Sequence, residues 1–237
     1  MTEASSITLI NGRNTDVIGQ MGTFDFIYCD PMYETYDLGW VQDFLPHLKR
    51  NGIFIVQTDY HTSANYKVLL DSLPVDGGKL TFVNWLIYMN NWGGVPTNRF
   101  AQKHDDILVY CKGKEWKWYP DRIQIPKATA GTKFDKKGTG TKTPPSVFYD
   151  HASFSTMSNE RVEVEDANFP MQKPIWLMER LLLPFTDEGD KVLDPFMGTA
   201  TLGVVCRDTN RNYTGIEYID TTYNAAKERL EDASIHI

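Results

Sequence analysis

The pattern of residues 191–217 constrains the fold of this chain more than any other part of the sequence. Lys191-Val192-Leu193-Asp194 has the apolar character of a short strand, and a turn containing Gly198 follows it. A helix comes next, and then a second strand-like run, 212–217, that ends at Glu217. A strand, a glycine-containing turn and a helix let the backbone approach a ligand closely, and an acid at the end of the next strand suits paired ribose hydroxyls. The pattern predicts a nucleotide-binding βαβ unit.

The late position of this unit predicts a permuted order of strands. A nucleotide-binding sheet continues after its first βαβ unit, but only residues 218–237 follow Glu217. The other strands must therefore come from the amino-terminal part, where strand-like and helical patterns alternate. Strand-like runs lie at 7–10, 24–29 and 53–56, and helical spacing of apolar residues lies at 40–48 and 66–73. We expect an α/β fold with a mostly parallel, circularly permuted Rossmann-like sheet in a single domain, 1–237.

Two later strand-like runs, 80–88 and 106–111, have no helix between them. Strands joined without a helical crossover pair in antiparallel fashion. They predict an antiparallel hairpin at an edge of the sheet.

The second informative stretch is 24–33, which runs from an apolar strand into Asp30-Pro31-Met32-Tyr33. Pro31 lacks a backbone donor and biases Asp30 toward an extended conformation. The pattern predicts a carboxylate, unpaired carbonyls and an aromatic ring at the carboxyl end of a strand, where open α/β sheets bind ligands. A strand followed by an ordinary turn is the alternative interpretation.

Composition limits the partners and the compartment. The chain has 237 residues and a net charge of -7, which argues against broad, nonspecific nucleic-acid binding. Its three cysteines each lie in an apolar run and predict buried thiols without a disulfide framework or a zinc pattern, so we expect no metal. No leader sequence is recognised, and no run approaches the roughly eighteen apolar residues of a transmembrane helix. We expect a cytoplasmic protein with no membrane partner.

The motifs, in their order along the chain, resemble the S-adenosylmethionine-dependent amino-methyltransferases of DNA, which modify adenine N6 or cytosine N4. The chain is similar to the branch in which the catalytic Asp-Pro-Pro-Tyr motif, here Asp30-Pro31-Met32-Tyr33, precedes the cofactor motif. The similarity covers nearly the whole chain. It includes Arg99-Phe100 through Tyr110, Gln172-Lys173-Pro174, Asp194-Pro195-Phe196-Met197-Gly198, Gly215-Ile216-Glu217 and 225–230. The resemblance implies the sheet of a class I methyltransferase.

The resemblance also implies roles for individual residues. Asp30 would accept a hydrogen bond from the target amino group, and the Pro31 carbonyl would be the second acceptor. Tyr33 would stack on the base after it leaves the duplex. S-adenosylmethionine would be held by Lys173, Asp194, Pro195, Phe196, Gly198, Thr199 and Glu217.

Sequence specificity is expected in an inserted target-recognition segment, about 116–168, where basic and aromatic residues are interleaved. The residues expected to contact double-stranded DNA are Arg99, Lys133, Lys136 and Lys137. A solvated loop is the alternative interpretation of this segment. The segment is short for target recognition, so a short site, loose specificity and a homodimer all remain open.

An acidic first residue in the catalytic motif places family members mostly with adenine N6, so we expect an adenine-N6 DNA methyltransferase. Three residues depart from the family pattern: Met32 replaces a proline, Ala200 replaces a glycine and is expected to narrow the cofactor turn, and Phe169 replaces a histidine. These changes remove no group that the chemistry requires. A cytosine-N4 enzyme and a catalytically silent DNA-binding relative or subunit are the alternatives.

Two other classes of function share features with this sequence. Gly198-x-Ala200-x-x-Gly203 is a degenerate dinucleotide fingerprint and would fit a nicotinamide-dependent oxidoreductase, but no hydride-transfer constellation accompanies it. RNA or protein amides are substrates of similar enzymes with Asn-Pro-Pro-Tyr motifs, whereas Asp30 begins the motif here.

Overall fold

The computed structural model describes residues 5–32, 37–76, 78–90, 94–149, 160, 162, 164 and 172–232. Its strands are β1 (Ile7–Asn11), β2 (Phe24–Cys29), β3 (Leu48–Thr58), β4 (Pro74–Val75), β5 (Gly78–Lys79), β6 (Thr81–Met89), β7 (His104–Cys111), β8 (Ile125–Pro126), β9 (Thr141–Lys142), β10 (Val147–Phe148), β11 (Lys191–Asp194) and β12 (Asn212–Glu217). Its α-helices are α1 (Asn14–Val17), α2 (Val41–Phe44), α3 (Ser63–Ser72), α4 (Ile175–Leu182), α5 (Thr201–Asp208) and α6 (Asp220–Glu231). Short 3₁₀ helices span Ile18–Gln20, Leu45–His47 and Pro120–Ile123.

Eight strands form the main sheet in the order β1-β12-β11-β2-β3-β7-β6-β10. Every neighbouring pair is parallel except those of β7, which runs antiparallel to both β3 and β6. The predicted mostly parallel, permuted sheet is confirmed, because the late strands β11 and β12 lie between β1 and β2. The predicted antiparallel pair is also confirmed as β6 and β7, and the two-residue β10 adds to the outer side of β6.

Helices cover both faces of the sheet, and each face has its own apolar core. One core joins Tyr28 and Ile55 to Leu181 of α4 and Val205 of α5. The other joins their neighbours in the strands, including Phe54, to residues of α2 and α3. Central strands buried on both faces have continuous apolar sequences, which is why the runs in β2, β3 and β11 were recognisable.

The helix predicted at 40–48 is shorter than its apolar spacing indicated. The α-helix α2 ends at Phe44, and Leu45–His47 continues as a 3₁₀ turn that contains Pro46. Proline cannot donate the backbone hydrogen bond that another α-helical turn needs, so the chain turns directly into β3.

The described part of the chain holds no helix long and apolar enough to cross a membrane. In that same part, no group of three or more acidic, histidine or cysteine side chains is arranged to hold a metal ion. All three cysteines are buried and none is in a disulfide.

Candidate active site

Three acids meet at the carboxyl edge of the sheet because their strands are neighbours. Asp194 ends β11, Glu217 ends β12, and Asp30 follows β2 directly. β11 pairs with both of the other strands. The two motifs that are far apart in sequence are therefore brought together at one edge.

Asp30 forms an ion pair with Lys173. The Lys173 Nζ lies 2.6 Å from Asp30 Oδ2 and 3.9 Å from Asp105 Oδ2. Lys173 is buried just before Pro174, the N-cap residue of α4. Burial lowers the pKa of Lys173, but Asp30 and Asp105 act in the opposite direction and hold it above its ordinary value. The ammonium group therefore stays charged between two carboxylates.

Asp105 is fixed by a polar network that sequence reasoning missed. Gln57 Nε2 donates to Asp105 Oδ2 at 2.8 Å, and Asn90 Nδ2 donates to Asp105 Oδ1 at 2.8 Å. The Tyr28 hydroxyl donates to Gln57 Oε1 at 2.7 Å. β7 runs antiparallel to β3 and β6. The first residues of β7 therefore lie at the same edge of the sheet as the last residues of those two strands. A polar residue beside an apolar run was the available signal, since Gln57 follows Ile53-Phe54-Ile55-Val56.

The turn after β11 surrounds a buried carboxylate. The pKa of Asp194 is raised to about 7, and burial is the largest cause. The hydrogen bonds from Tyr213 and from the Phe196 backbone lower this pKa, whereas the charges of Asp30 and Glu217 raise it. The Tyr213 hydroxyl donates to Asp194 Oδ2 at 3.1 Å. The three acids are thus close enough to interact electrostatically.

Two other members of this turn are fixed by contacts from the amino-terminal part of the chain. The Pro195 carbonyl accepts a hydrogen bond from Asn14 Nδ2 at 2.9 Å. The Phe196 ring packs edge-on against Trp40, with 5.0 Å between the ring centroids.

Glu217 is oriented by backbone donors. Gly198 N donates to Glu217 Oε2 at 3.1 Å, and Ile219 N donates to Oε1 at 2.9 Å. Burial raises the pKa of Glu217, while these backbone hydrogen bonds act in the opposite direction. Gly198 and Ala200 both have left-handed backbone conformations, with φ of 53° and 56°. A glycine at position 200 would adopt this conformation without a steric penalty from Cβ. The alanine therefore adds backbone strain to the turn.

A buried arginine at the end of the chain clamps the same turn. Arg229 Nη1 donates to the Thr199 carbonyl at 3.0 Å and to Thr201 Oγ1 at 2.9 Å. Thr201 Oγ1 in turn donates to the Lys173 carbonyl at 3.0 Å. Burial lowers the pKa of Arg229 to about 10. Sequence reasoning missed this role, because an arginine in the charged run Lys227-Glu228-Arg229 is typical of a solvated helix face.

A cavity of about 950 Å³ opens on the β6–β7 side of Lys173. Lys173 and Asp105 form part of its wall, and so do Tyr60, Tyr88 and Asn90. The loop between β6 and β7 contributes Gly94, Val95, Pro96, Arg99, Phe100, Ala101 and Gln102. Asp30, Asp194 and Glu217 do not line it, so the cavity reaches the Lys173–Asp30 ion pair from the side of Lys173.

The remaining predicted residues are dispersed. Arg99 is exposed at the cavity wall, and the lysines 133, 136 and 137 are exposed on the segment between β8 and β9. Pro31 is buried, whereas Met32 is exposed and its Sδ lies 4.0 Å from the Tyr218 hydroxyl. Tyr33 and Phe169 lie outside the described residues.

Comparisons with known proteins identify the relatives of this architecture. The family model described as DNA methylase, of N6 and N4 methyltransferases, matches residues 25–228. The type II methyltransferase M.HpaI of Haemophilus parainfluenzae is 30% identical over 202 residues, or 84% of this chain and 60% of that protein. M.BglII of Bacillus subtilis, also a type II methyltransferase, is 32% identical over 152 residues, or 59% of this chain and 41% of that protein. The chain thus spans about half the length of these curated relatives.

Two solved structures share the fold. The crystal structure of an M1.HpyAVI–SAM complex covers 94% of this chain and 100% of its own, with a TM-score of 0.67 and 24% identity. The PvuII DNA methyltransferase, described as cytosine-N4-specific, covers 98% of this chain and 89% of its own, with a TM-score of 0.71 and 17% identity.

Proposed function

The chain belongs to the DNA methylase family, and from this premise we propose that it transfers the methyl group of S-adenosylmethionine to the N6 amino group of adenine in double-stranded DNA. The observation that carries the proposal is the assembly of Asp30, Asp194 and Glu217 at one edge of the sheet, with Lys173 paired to Asp30. The type II methyltransferases among its relatives support a role in the DNA modification of a restriction–modification system.

The acidic side chains at the carboxyl edge of the sheet suit the charge of the methyl donor. S-adenosylmethionine has cationic sulfonium and ammonium groups, and when bound it supplies an electrophilic methyl group on sulfur. Three carboxylates in a poorly hydrated site favour such a cation. We propose that Glu217 accepts hydrogen bonds from the ribose hydroxyls, and that the turn from Asp194 to Thr199 holds the methionine part.

Asp30 and Pro31 are proposed to make the target amine a better nucleophile. An exocyclic amine is a poor nucleophile, because its lone pair is delocalised into the ring. The Asp30 carboxylate and the Pro31 carbonyl, accepting hydrogen bonds from the two N–H groups, favour a pyramidal nitrogen whose lone pair points outward. Fixed acceptors need no reorganisation during the reaction, so positioning and electrostatic preorganisation provide most of the rate. The ion pair with Lys173 holds the Asp30 carboxylate in place.

The base must leave the duplex to reach these acceptors, because an amino group inside the stack is out of reach. We propose that Tyr33 stacks on the extruded base. The segment at about 116–168 is proposed to read the target sequence, with Arg99, Lys133, Lys136 and Lys137 on phosphates. A homodimer would place two such segments on the DNA, so that together they contact a longer target sequence.

Cytosine N4 is the second candidate target. The similarity to the cytosine-N4-specific PvuII enzyme supports it, since the two structures share the fold over nearly the whole chain. The acidic residue at the head of the motif, Asp30, favours adenine. A silent DNA-binding relative is the third candidate, and its support is Met32, Ala200 and the acidic net charge of -7.

The decisive experiment is labelled methyl transfer to duplex DNA, followed by digestion and separation of the nucleosides. We expect label in N6-methyladenine with the wild-type protein. We expect Asp30→Ala to bind S-adenosylmethionine in calorimetry and to transfer nothing measurable, whereas Asp16→Ala, an exposed acid in α1, keeps full transfer. Full activity of Asp30→Ala would disprove its role. Label only in N4-methylcytosine would exclude adenine, and wild-type protein that binds no S-adenosylmethionine would favour the silent relative.

A further inference from the structure

The loop between β6 and β7 exposes a large apolar side chain at the cavity beside Lys173. Phe100 is 99% exposed and Val95 is 81% exposed, and both line the cavity. Tyr60, which is partly exposed, lines it as well. A single exposed apolar side chain needs no explanation, but several that line one concave site mark a binding surface, and Phe100, Val95 and Tyr60 share this cavity.

The base of this loop is fixed. Asn90 N donates to the Lys103 carbonyl at 2.9 Å, and the Asn90 side chain is bound to Asp105 in the network described above. Phe100 therefore projects from a hairpin whose base is connected to the Lys173–Asp30 pair. An exposed cation, Arg99, precedes it directly.

Extrusion of a base creates a gap in the stack of the duplex. Leaving that gap empty forfeits stacking energy, and DNA-binding proteins relieve such costs with apolar side chains that wedge between base pairs. A suitable wedge is aromatic, exposed before binding, and placed close to the acceptors of the extruded base. Phe100 is aromatic and exposed, and it lines the cavity whose wall includes Lys173, the partner of Asp30.

We propose that Phe100 inserts into duplex DNA and fills the space that the target base vacates. Arg99 contacts a phosphate beside the insertion and so aligns the loop with the backbone. This inference rests on the proposed function, because only an enzyme that extrudes its target needs such a wedge.

The test compares Phe100→Ala with Phe100→Trp on duplexes that carry the site mapped by labelled transfer. One duplex has the target base paired, and the other has it opposite an abasic position, where extrusion costs less. Phe100→Ala is expected to lower kcat/KM at least about tenfold on the paired duplex and less than about threefold on the abasic one. Phe100→Trp, which keeps an aromatic side chain, is expected to retain methyl transfer on both duplexes. Val68→Ala, which removes an exposed apolar side chain from α3, serves as the control and should change neither value.

Extrusion itself is followed with 2-aminopurine at the target position and S-adenosylhomocysteine in place of the donor. The wild-type protein should increase the emission and Phe100→Ala should increase it much less, with the same melting temperature. An equal loss on both duplexes would show that Phe100 contacts the extruded base, and no loss would show that it has no role; either result overturns the wedge. If the wild-type protein transfers label to no DNA, the proposed function fails; if it transfers and Phe100→Ala behaves like Val68→Ala, only the wedge fails.

Discussion

Lys173 Nζ lies 2.6 Å from Asp30 Oδ2, although 143 positions separate the two residues in the sequence. The permuted order makes this contact possible, since it brings the start of α4 beside the end of β2. The resemblance to known methyltransferases had assigned Lys173 to the cofactor. In the structure its ammonium group faces the carboxylate proposed to bind the target amine.

The buried position of this pair predicts a large cost for removing the lysine. Lys173→Met leaves Asp30 and Asp105 without their shared cation, and breaking a buried ion pair costs about 3–5 kcal/mol. Urea denaturation should show this loss in the free energy of unfolding. Lys49→Met, which removes a lysine bound to Asp25 in a more exposed pair, should cost less than about 1 kcal/mol.

A second substitution separates charge from packing in the same site. Adding Asp30→Asn to Lys173→Met removes one of the two uncompensated charges and should recover more than about 1 kcal/mol. Equal losses for Lys173→Met and Lys49→Met would show that the pair has little structural weight.

Cofactor affinity should depend on pH through Asp194. Its pKa of about 7 in the folded protein results mainly from burial. A cationic ligand favours the ionised carboxylate, so affinity for S-adenosylmethionine should rise between about pH 6 and about pH 8, by up to tenfold per pH unit below the pKa. Calorimetry across this range measures the effect. Asp194→Asn should flatten the profile, and S-adenosylhomocysteine, which lacks the sulfonium charge, should show a weaker dependence; an unchanged profile in Asp194→Asn would exclude this residue.

The same group has the opposite effect on the stability of the free protein. The folded-state pKa of Asp194 lies above its ordinary value of 3.8, so the folded state retains the proton more strongly than the unfolded state. Its contribution to stability is therefore present at low pH and is lost as the pH rises from about 4 to about 7. Asp194→Asn should remove that part of the pH dependence of unfolding.

The sequence predicted the parts of the site that follow apolar strands. The strands proposed at 24–29 and 212–217 have these same bounds in the structure, and the acids at their ends meet at one edge. The partners of those acids were not predictable in this way. Asp105 and Arg229 reach the site through an antiparallel strand and the last helix, and no local spacing encodes such long-range contacts. Ala200 was expected to narrow the turn, whereas its left-handed backbone is a property that side-chain size does not reveal.

Gly203, the last glycine of the degenerate fingerprint, has a packing role. A Cβ at this position would lie 2.8 Å from the Tyr213 ring, whose hydroxyl is bound to Asp194. Gly203→Ala should therefore destabilise the protein by about 1–3 kcal/mol, despite the better helix propensity of alanine. Gly19→Ala, where a Cβ would meet no atom within 4 Å, is the matched control. If both variants melt at the wild-type temperature, the ring moves aside without cost.

The basic segment between β8 and β9 should bind DNA through its exposed lysines. The variant replaces three of them with alanine: Lys133, Lys136 and Lys137. Each phosphate contact releases counterions, so the slope of log affinity against log salt should become shallower by at most roughly three, with weaker binding at low salt. Fluorescence anisotropy of labelled duplex DNA at several salt concentrations measures both. The control removes three exposed cations from the amino edge of the parallel strands, opposite the active site: Arg50, Lys79 and Lys114. Because both triple variants lose the same net charge, a general effect of charge would weaken them equally, and such a result would remove this segment from the DNA interface.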